Sequence, residues 1–166
     1  MNFFKISLLL VFISLIVGLT PSFLKFAFNN NGQSADVIAS KMPKSDAIKY
    51  VIARKSRIPV YLADTEEKRI KGLGERTSIP VDYGMFFIFD GSDYQSIWMK
   101  DMLFSIDIIW IDENFNIVHI EKNISPDTYP KIFTPPFKVR YVLELNSGMS
   151  DFYDLKTGEK AIFSQK

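Results

Sequence analysis

One carboxylate interrupts an apolar segment, and it carries the most chemical promise in this sequence. Asp107 lies in the stretch SIDIIWID at 105–112, where most of its neighbours are isoleucine or tryptophan. If the chain forms a hairpin centred between Leu103 and Phe104, Lys100 lies directly opposite Asp107. A desolvated carboxylate needs a partner or takes a raised pKa. We therefore predict that Asp107 belongs to a buried ion pair, accepts hydrogen bonds from backbone N–H groups, or acts as an acid that binds a ligand or shuttles a proton.

A second candidate acid lies in a later strand, VRYVLELN at 139–146. The alternation of apolar and polar residues places Glu144 and Arg140 on the same face of this strand. Glu144 is therefore either a ligand-binding carboxylate or a solvated strand residue paired with Arg140. The opposite, core-facing side consists of Val139, Tyr141, Leu143 and Leu145.

Three further residue types complete the predicted ligand site. Arg76 follows the sequence GLGE and precedes an Ile-Pro turn, where its planar guanidinium could clamp a carboxylate or phosphate, or brace the turn. Trp98 and Met99 precede Lys100 and could form an apolar platform beside polar anchors. The candidate ligand-binding residues are Arg76, Trp98, Met99, Lys100, Asp107 and Glu144.

Metal and cofactor chemistry has little support in the composition. The chain has one histidine and no cysteine, so neither a tight transition-metal site nor a thiol nucleophile is expected. His119, in the segment NIVHI, is predicted to be an ordinary strand residue. No glycine-rich phosphate-binding loop is present in the sequence. We expect no metal and no cofactor.

The order of several motifs resembles the domain-of-unknown-function 192 family from about Pro59 to Phe163. The resemblance rests on three blocks: Gly72, Leu73 and Arg76; the stretch from Gly84 to Asp112; and VLELNSG at 142–148. The family has no established reaction, and the resemblance implies a jelly-roll-like β-sandwich. The chain departs from the family pattern at Gly74, Asp101 and Ser105. The matching positions include Arg76, Gly84, Trp98, Met99, Lys100, Asp107 and Glu144.

The remaining sequence predicts an all-β domain with one short helix, arranged as a jelly-roll-like sandwich or barrel. Asp64 and Glu67 form a capping-box pattern, and Gly72 marks the end of the helix. Short apolar runs separated by Asp, Asn, Gly and Pro predict the strands. These runs are 50–53, 58–63, 85–89, 96–100, 106–111, 117–120 and 139–145.

A proline-rich segment, NISPDTYPKIFTPPFK at 123–138, separates the last two predicted strands. Long loops inside compact domains are usually functional or disordered. Its aromatic residues, Tyr129, Phe133 and Phe137, favour a loop that packs over the domain. It is either a rigid crossover between sheets or a lid that forms one wall of a site.

The N-terminus carries an export signal. Residues 6–24 are uncharged and lie between Lys5 and Lys25, a pattern typical of a signal peptide and close to the length of a transmembrane helix. We predict a signal peptide or inner-membrane anchor at 1–28, a flexible tether at 29–46 and a β-rich domain at 47–166. The protein is expected to be exported, to the periplasm or cell envelope, either anchored or secreted.

Two classes of function remain open from the sequence. With 20 Lys and Arg against 19 Asp and Glu, the chain has no basic footprint for nucleic acid. The favoured hypothesis is an extracytoplasmic binding module for a small polar or carbohydrate-like ligand, in a cleft that also includes Tyr129 and Trp110. The alternatives are an envelope-glycan hydrolase using Asp107 and Glu144 as an acid and base pair, or a structural envelope protein.

Overall fold

A computed structural model describes residues 49–164, which form a mostly β domain with two short helices. The predicted anchor at 1–28 and tether at 29–46 lie outside the described residues. The strands are β1 (Lys49–Ala53), β2 (Ser56–Ala63), β3 (Gly84–Asp93), β4 (Ile97–Trp98), β5 (Ile106–Ile111), β6 (Ile117–Ile124), β7 (Ile132–Phe133), β8 (Val139–Asn146) and β9 (Ala161–Ser164). The helices are α1 (Glu66–Lys71) and α2 (Met149–Phe152), with a 3-10 turn at Pro126–Thr128.

Seven strands form one curled sheet in the order β6-β5-β8-β3-β2-β1-β9. Its neighbouring strands are antiparallel except for β2 and β3, which run parallel. A parallel pair needs a crossover connection, and here that connection contains α1. The short strands β4 and β7 pair separately from the large sheet.

The large sheet buries apolar residues on both faces, which we call the α1 face and the α2 face. Successive side chains of a strand point to opposite faces, so Phe87 packs on the α1 face and Phe86 on the α2 face. The α1 face also holds Leu73, Met85, Met99, Ile108 and Trp110. The α2 face also holds Val51, Ile109, Leu143, Leu145 and Leu155.

The two edges of the curled sheet meet at one end. Asn116, just before β6, forms an isolated antiparallel bridge with Lys160, just before β9. The Ile117 amide donates to the Glu159 carbonyl at 2.8 Å, and the Ala161 amide donates to the Phe115 carbonyl at 2.9 Å. The sheet is therefore drawn toward a barrel at this end.

Gly84 permits the close approach of β3 and β8. A Cβ atom at this position would lie 2.6 Å from the Glu144 carbonyl oxygen and 2.8 Å from a Leu145 methyl group. Both distances are shorter than atoms at van der Waals contact allow. A residue without a side chain is therefore required where β3 begins.

The β-rich prediction is confirmed, and β5 has the predicted bounds of 106–111. The prediction of a single helix is wrong, because Met149–Phe152 forms a second one. Asp64 is not the α1 cap: the Thr65 side chain accepts from the Lys68 amide, while Asp64 pairs with the Lys68 ammonium at 2.8 Å. Gly72 ends the helix at a φ of 50°, as predicted.

None of the helices within residues 49–164 has the length and apolar character needed to cross a membrane.

Candidate functional site

Glu144 lies in the middle of the large sheet, in a row of side chains that crosses four strands. Met85 is its register partner on β3 and Ile108 its partner on β5, and Tyr61 lies beyond Met85 on β2. The Glu144 residue is only 4% exposed. Its carboxyl group is therefore held on the α1 face among largely apolar neighbours.

The Glu144 carboxyl lacks the partners that a buried acid normally has. Its Oε2 atom is buried without a hydrogen-bond partner. Burial raises the pKa of Glu144 from 4.5 to about 8, because the charged form loses its hydration and gains no compensating bond. At neutral pH the group is mostly a neutral carboxylic acid, which can donate one hydrogen bond.

An open cleft of about 230 Å³ reaches Glu144 from the surface. One wall is α1 and the turn that follows it, and the other is the segment around β4. Phe87 and Phe89 of β3 contribute apolar surface beside Glu144. The full lining is Glu66, Arg69, Ile70, Lys71, Gly72, Leu73, Gly74, Phe87, Phe89, Ser96, Ile97, Trp98, Lys100, Met102 and Glu144.

Trp98 is the accessible aromatic side chain of the cleft. It is 51% exposed, whereas Trp110 is fully buried. Strand β4 carries Trp98 and is held by β7, where Ile132 is its register partner. The indole therefore sits on a short strand paired with β7 rather than on an unsupported loop, and offers an exposed ring to a ligand.

The basic side chains at the cleft differ in how they are engaged. Arg69 donates to the Ile88 carbonyl at 2.9 Å and lies 3.6 Å from the Asp90 carboxylate. Lys71 lies 3.7 Å from the Glu75 carboxylate. Lys100 forms no hydrogen bond or ion pair with any other residue in the range 49–164. Lys100 is therefore the cation left available to a ligand.

A second hollow adjoins the cleft beyond Gly74. It has a volume of about 230 Å³ and adds Glu75 and Asp101 to the lining. The two hollows share Ile70, Lys71, Gly74, Trp98 and Lys100. A ligand larger than one ring could extend from the Glu144 end into this space.

Asp107 lies on the α2 face, away from the cleft. It is fully buried, and each carboxylate oxygen accepts a backbone N–H, from Asn123 at 2.9 Å and from Ser150 at 2.9 Å. Ser150 belongs to the first turn of α2, so Asp107 ties this helix and the end of β6 to β5. Its backbone-accepting role, one of those predicted, is confirmed.

The predicted hairpin that pairs Lys100 with Asp107 is wrong. Strand β5 pairs with β6 and β8, while β4 pairs with β7. The hairpin arithmetic failed because the chain after Trp98 leaves the sheet in a turn, with Asp101 at a φ of 58°. Lys100 is exposed at the cleft, whereas Asp107 is buried on the α2 face of the sheet.

Asp107 and Glu144 do not form the acid and base pair that the hydrolase hypothesis requires. Asp107 faces Leu145 of β8 in register, and Glu144 is the adjacent residue on that strand. Adjacent strand residues point to opposite sides of a sheet. The two carboxyl groups therefore have the sheet between them and share no pocket.

Arg76 and Met99 do not line the cleft. Met99 is 1% exposed and packs into the core of the α1 face. The Arg76 guanidinium lies 5.0 Å from the centre of the Tyr61 ring, and its Nε atom is buried without a hydrogen-bond partner. Arg76 thus packs against β2 on the same face, beyond Met85 from Glu144.

Other predicted residues are also placed elsewhere. Trp110 donates its indole N–H to the Gln95 carbonyl at 2.8 Å and packs against His119. Tyr129 is 50% exposed but is not part of the cleft lining. The 123–138 segment contributes β7, so it braces the strand that carries Trp98. The predicted pairing of Glu144 with Arg140 is wrong, because Arg140 donates to the Phe89 carbonyl at 3.4 Å.

Sequence reasoning missed the helical wall of the cleft. Arg69, Ile70 and Lys71 all line it, and Ile70 is 70% exposed. An isoleucine on the solvent side of a short, charged helix is a signal that could have been noticed. The described residues contain no group of three or more His, Cys, Asp or Glu that could hold a metal ion.

Comparisons with known proteins agree with this fold. A Sinorhizobium meliloti 1021 protein described as a "putative transcription regulator" is 28% identical, with a TM-score of 0.65 over 69% of this chain and 91% of that one. A protein of unknown function from Novosphingobium aromaticivorans DSM 12444 is 25% identical, with a TM-score of 0.64 over 73% of this chain and 89% of that one. No curated protein matches the chain significantly.

A protein-family model matches residues 49–163, from the first residue of β1 into β9. Its description is "Uncharacterized ACR". This range includes the cleft, both buried carboxyl groups and all nine strands except the last residue of β9. The chain belongs to the DUF192 family.

Proposed function

We propose that the domain is a binding module for a small polar or carbohydrate-like ligand. The observation that carries the proposal is the unpartnered Glu144 carboxyl at an open cleft beside the exposed ring of Trp98. Buried polar groups in folded proteins almost always have hydrogen-bond partners, and exceptions need a reason. A ligand hydroxyl or carbonyl group would supply the missing partner.

The composition of the cleft supports a ligand with one apolar face and several polar groups. Binding sites commonly combine apolar and aromatic walls with a few fixed polar groups. Here Trp98 and Phe89 offer apolar surface, and Glu144 and Lys100 offer polar anchors. A volume of about 230 Å³ lies below the roughly 300–1,000 Å³ typical of drug-sized ligands, so a single ring is the natural occupant.

We also propose that the domain acts outside the cytoplasm, tethered to the membrane by the N-terminal segment at 1–28. The uncharged span at 6–24 and the polar stretch at 29–46 support this address. We propose in addition that the β-rich domain is arranged as a jelly-roll-like sandwich. Alkaline carbonate extraction tests the tether: full-length protein should stay in the membrane fraction, and its complete release would contradict anchoring.

Tryptophan fluorescence tests the binding function directly. The chain has two tryptophans, and only Trp98 is exposed, so a ligand in the cleft should change the Trp98 emission. Titration of the wild type with monosaccharides should give a saturable change in emission, and calorimetric titration should show weaker binding in Trp98→Ala, which lacks the fluorescent ring. Tyr94→Ala is the matched control, because Tyr94 is similarly exposed, at 52%, but lies outside the cleft lining.

Two results would contradict a binding function. One is the absence of a saturable signal with any sugar tested, which would favour a structural envelope protein. The other is an equal affinity of the wild type and Trp98→Ala by calorimetry, which would place the ligand elsewhere. Because Trp98 is half exposed and its loss should leave the fold intact, circular dichroism of each variant separates lost binding from lost structure.

A further inference from the structure

One cation at the cleft has no counter-ion, and it selects among small polar ligands. Apart from Glu144, the charged lining residues are Glu66, Arg69, Lys71 and Lys100. The Asp90 and Glu75 carboxylates pair with Arg69 and Lys71, and Asp101 lines the adjoining hollow, so most of this positive charge is offset. Lys100 is the positive group of the lining without an ion-pair partner in residues 49–164, and such a group attracts an anionic ligand and repels an amine.

Lys100 is the cation best placed to act on a ligand. Arg69 and Lys71 each have an ion-pair partner, Asp90 and Glu75. Lys100 has none among residues 49–164, and it lines both adjoining hollows. An ammonium group with no protein partner keeps its donors for a ligand oxygen.

We propose that the cleft takes a small carboxylate-bearing ligand, such as an acidic sugar, whose carboxylate is held by Lys100 and by a hydrogen bond with the unpartnered Glu144 carboxyl. The inference rests on the proposed binding function and narrows its ligand class. The sugar ring would pack on Trp98. A neutral acid beside a carboxylate forms one short charge-assisted bond rather than a repulsive pair.

The surroundings of Glu144 support its protonated form. Its register neighbours, Met85 and Ile108, carry no charge, and Phe87 is the next cleft residue on β3. The charged groups facing the cleft come from α1 and from Lys100, and none pairs with Glu144. Burial raises the pKa of Glu144 to about 8, so the carboxyl can donate at neutral pH and becomes an anion that repels a carboxylate above about pH 8.

Calorimetric titration of the full-length protein with glucuronate, glucose and glucosamine tests this ligand class. Measurements at about pH 6 and about pH 9.5 lie on either side of the Glu144 pKa of about 8. At the lower pH, glucuronate should bind about tenfold more tightly than glucose, because its carboxylate forms a charge-assisted hydrogen bond. Glucosamine should bind more weakly than both, because its ammonium group is repelled by Lys100. At the higher pH, the glucuronate advantage should disappear.

Two variants locate the effect. Glu144→Gln keeps a neutral donor, so it should bind glucuronate with an affinity close to wild type and lose the pH dependence. Lys100→Gln should reduce glucuronate affinity about tenfold and glucose affinity by a smaller factor, because glucose has no carboxylate for the ammonium group to hold. Lys131→Gln is the matched control, because Lys131 is exposed and packs over Phe133 outside the cleft.

The outcomes separate this inference from the binding function beneath it. If glucose or glucosamine binds as tightly as glucuronate, the anionic class is wrong and the binding function stands. If Glu144→Gln keeps the wild-type pH dependence, Glu144 is not the donor and the proposal is overturned. If none of the three sugars binds, the inference and the proposed binding of carbohydrate-like ligands fail together.

Discussion

The two faces of the large sheet each hold one buried acid, and the two acids differ in their hydrogen bonding. Asp107 accepts two backbone N–H groups and fixes α2 to the sheet. Glu144 has no partner for its buried oxygen and opens onto the cleft. Both are nearly inaccessible, at 0% and 4% exposure.

Burial alone therefore does not separate a structural acid from a functional one. A charged group whose acceptor sites are filled by the backbone is held by the fold and contributes to stability. A group left incomplete at a cleft raises the free energy of the protein and gains a partner only when something binds. The completeness of the hydrogen bonding is the feature that distinguishes Asp107 from Glu144.

The largest disruption should come from Gly84, at the start of β3 where this strand closely approaches β8. In Gly84→Ala the new methyl group would press against the Glu144 carbonyl, 2.6 Å away, and separate β3 from β8. We expect a loss of about 3 kcal/mol in unfolding free energy, measured by urea denaturation. Gly91→Ala in the same strand is the control, because a Cβ there meets nothing within 4 Å.

A near-equal stability of the Gly84 and Gly91 variants would show that β3 and β8 can separate without cost. The contrast between Asp107 and Glu144 depends on a rigid sheet that keeps them on opposite faces, so this result would contradict it.

Asp107→Asn should cost about 2–3 kcal/mol of stability, because the amide can offer only one acceptor oxygen to the two N–H donors. Hydrogen exchange should show the Asn123 and Ser150 amides losing protection before the rest of the domain. Asp90→Asn is the matched control, since the Asp90 side chain is 96% exposed. Unchanged stability would show that Asp107 is not a structural acid.

Glu144→Met should act in the opposite direction and stabilise the domain by about 1–2 kcal/mol near pH 8. The folded protein holds the Glu144 proton up to about pH 8, whereas the unfolded chain releases it near 4.5. Wild-type stability should therefore fall between these pH values, by at most about 1.4 kcal/mol per unit. This contribution should be absent from Glu144→Met.

Urea denaturation across pH 5–8.5 measures the difference between the two profiles, in steps of about half a unit. Glu113→Met, at an exposed position, controls for the general effect of replacing glutamate. Parallel profiles for wild type and Glu144→Met would contradict a raised Glu144 pKa.

The smallest effect on stability should come from Lys100→Ala. Lys100 is exposed and has no partner among residues 49–164, so we expect a change within about 0.5 kcal/mol in thermal or urea unfolding. Surface cations that serve a ligand, unlike Asp107, can be removed without loss of structure. A loss of 2 kcal/mol or more, on the scale of a core substitution, would place Lys100 among the structural residues.

The sequence was enough to predict most strands, because apolar runs between turn residues mark them. β5 is the clearest case: its run of isoleucines has the predicted bounds. β7 and β9 were missed because runs of two and four residues carry too little pattern, and α2 was missed because a helix of four residues gives no periodicity. Their positions depend on tertiary packing.

The site was predicted only in part, for a related reason. Trp98, Lys100 and Glu144 line one cleft, whereas Asp107 was given the wrong partner. Its partners are backbone N–H groups 16 and 43 residues away, and a backbone donor leaves no mark in the sequence. Local pairing arithmetic could not find contacts of that separation.

The bridge between Asn116 and Lys160 bears on how the protein behaves in a crowded compartment. An open sheet exposes two rows of unpaired N–H and C=O groups, which can template strand addition and aggregation. Here the start of β6 and the start of β9 occupy each other's backbone groups. At that end, the two edges of the sheet pair with each other, so fewer backbone N–H and C=O groups are left to pair with a second molecule.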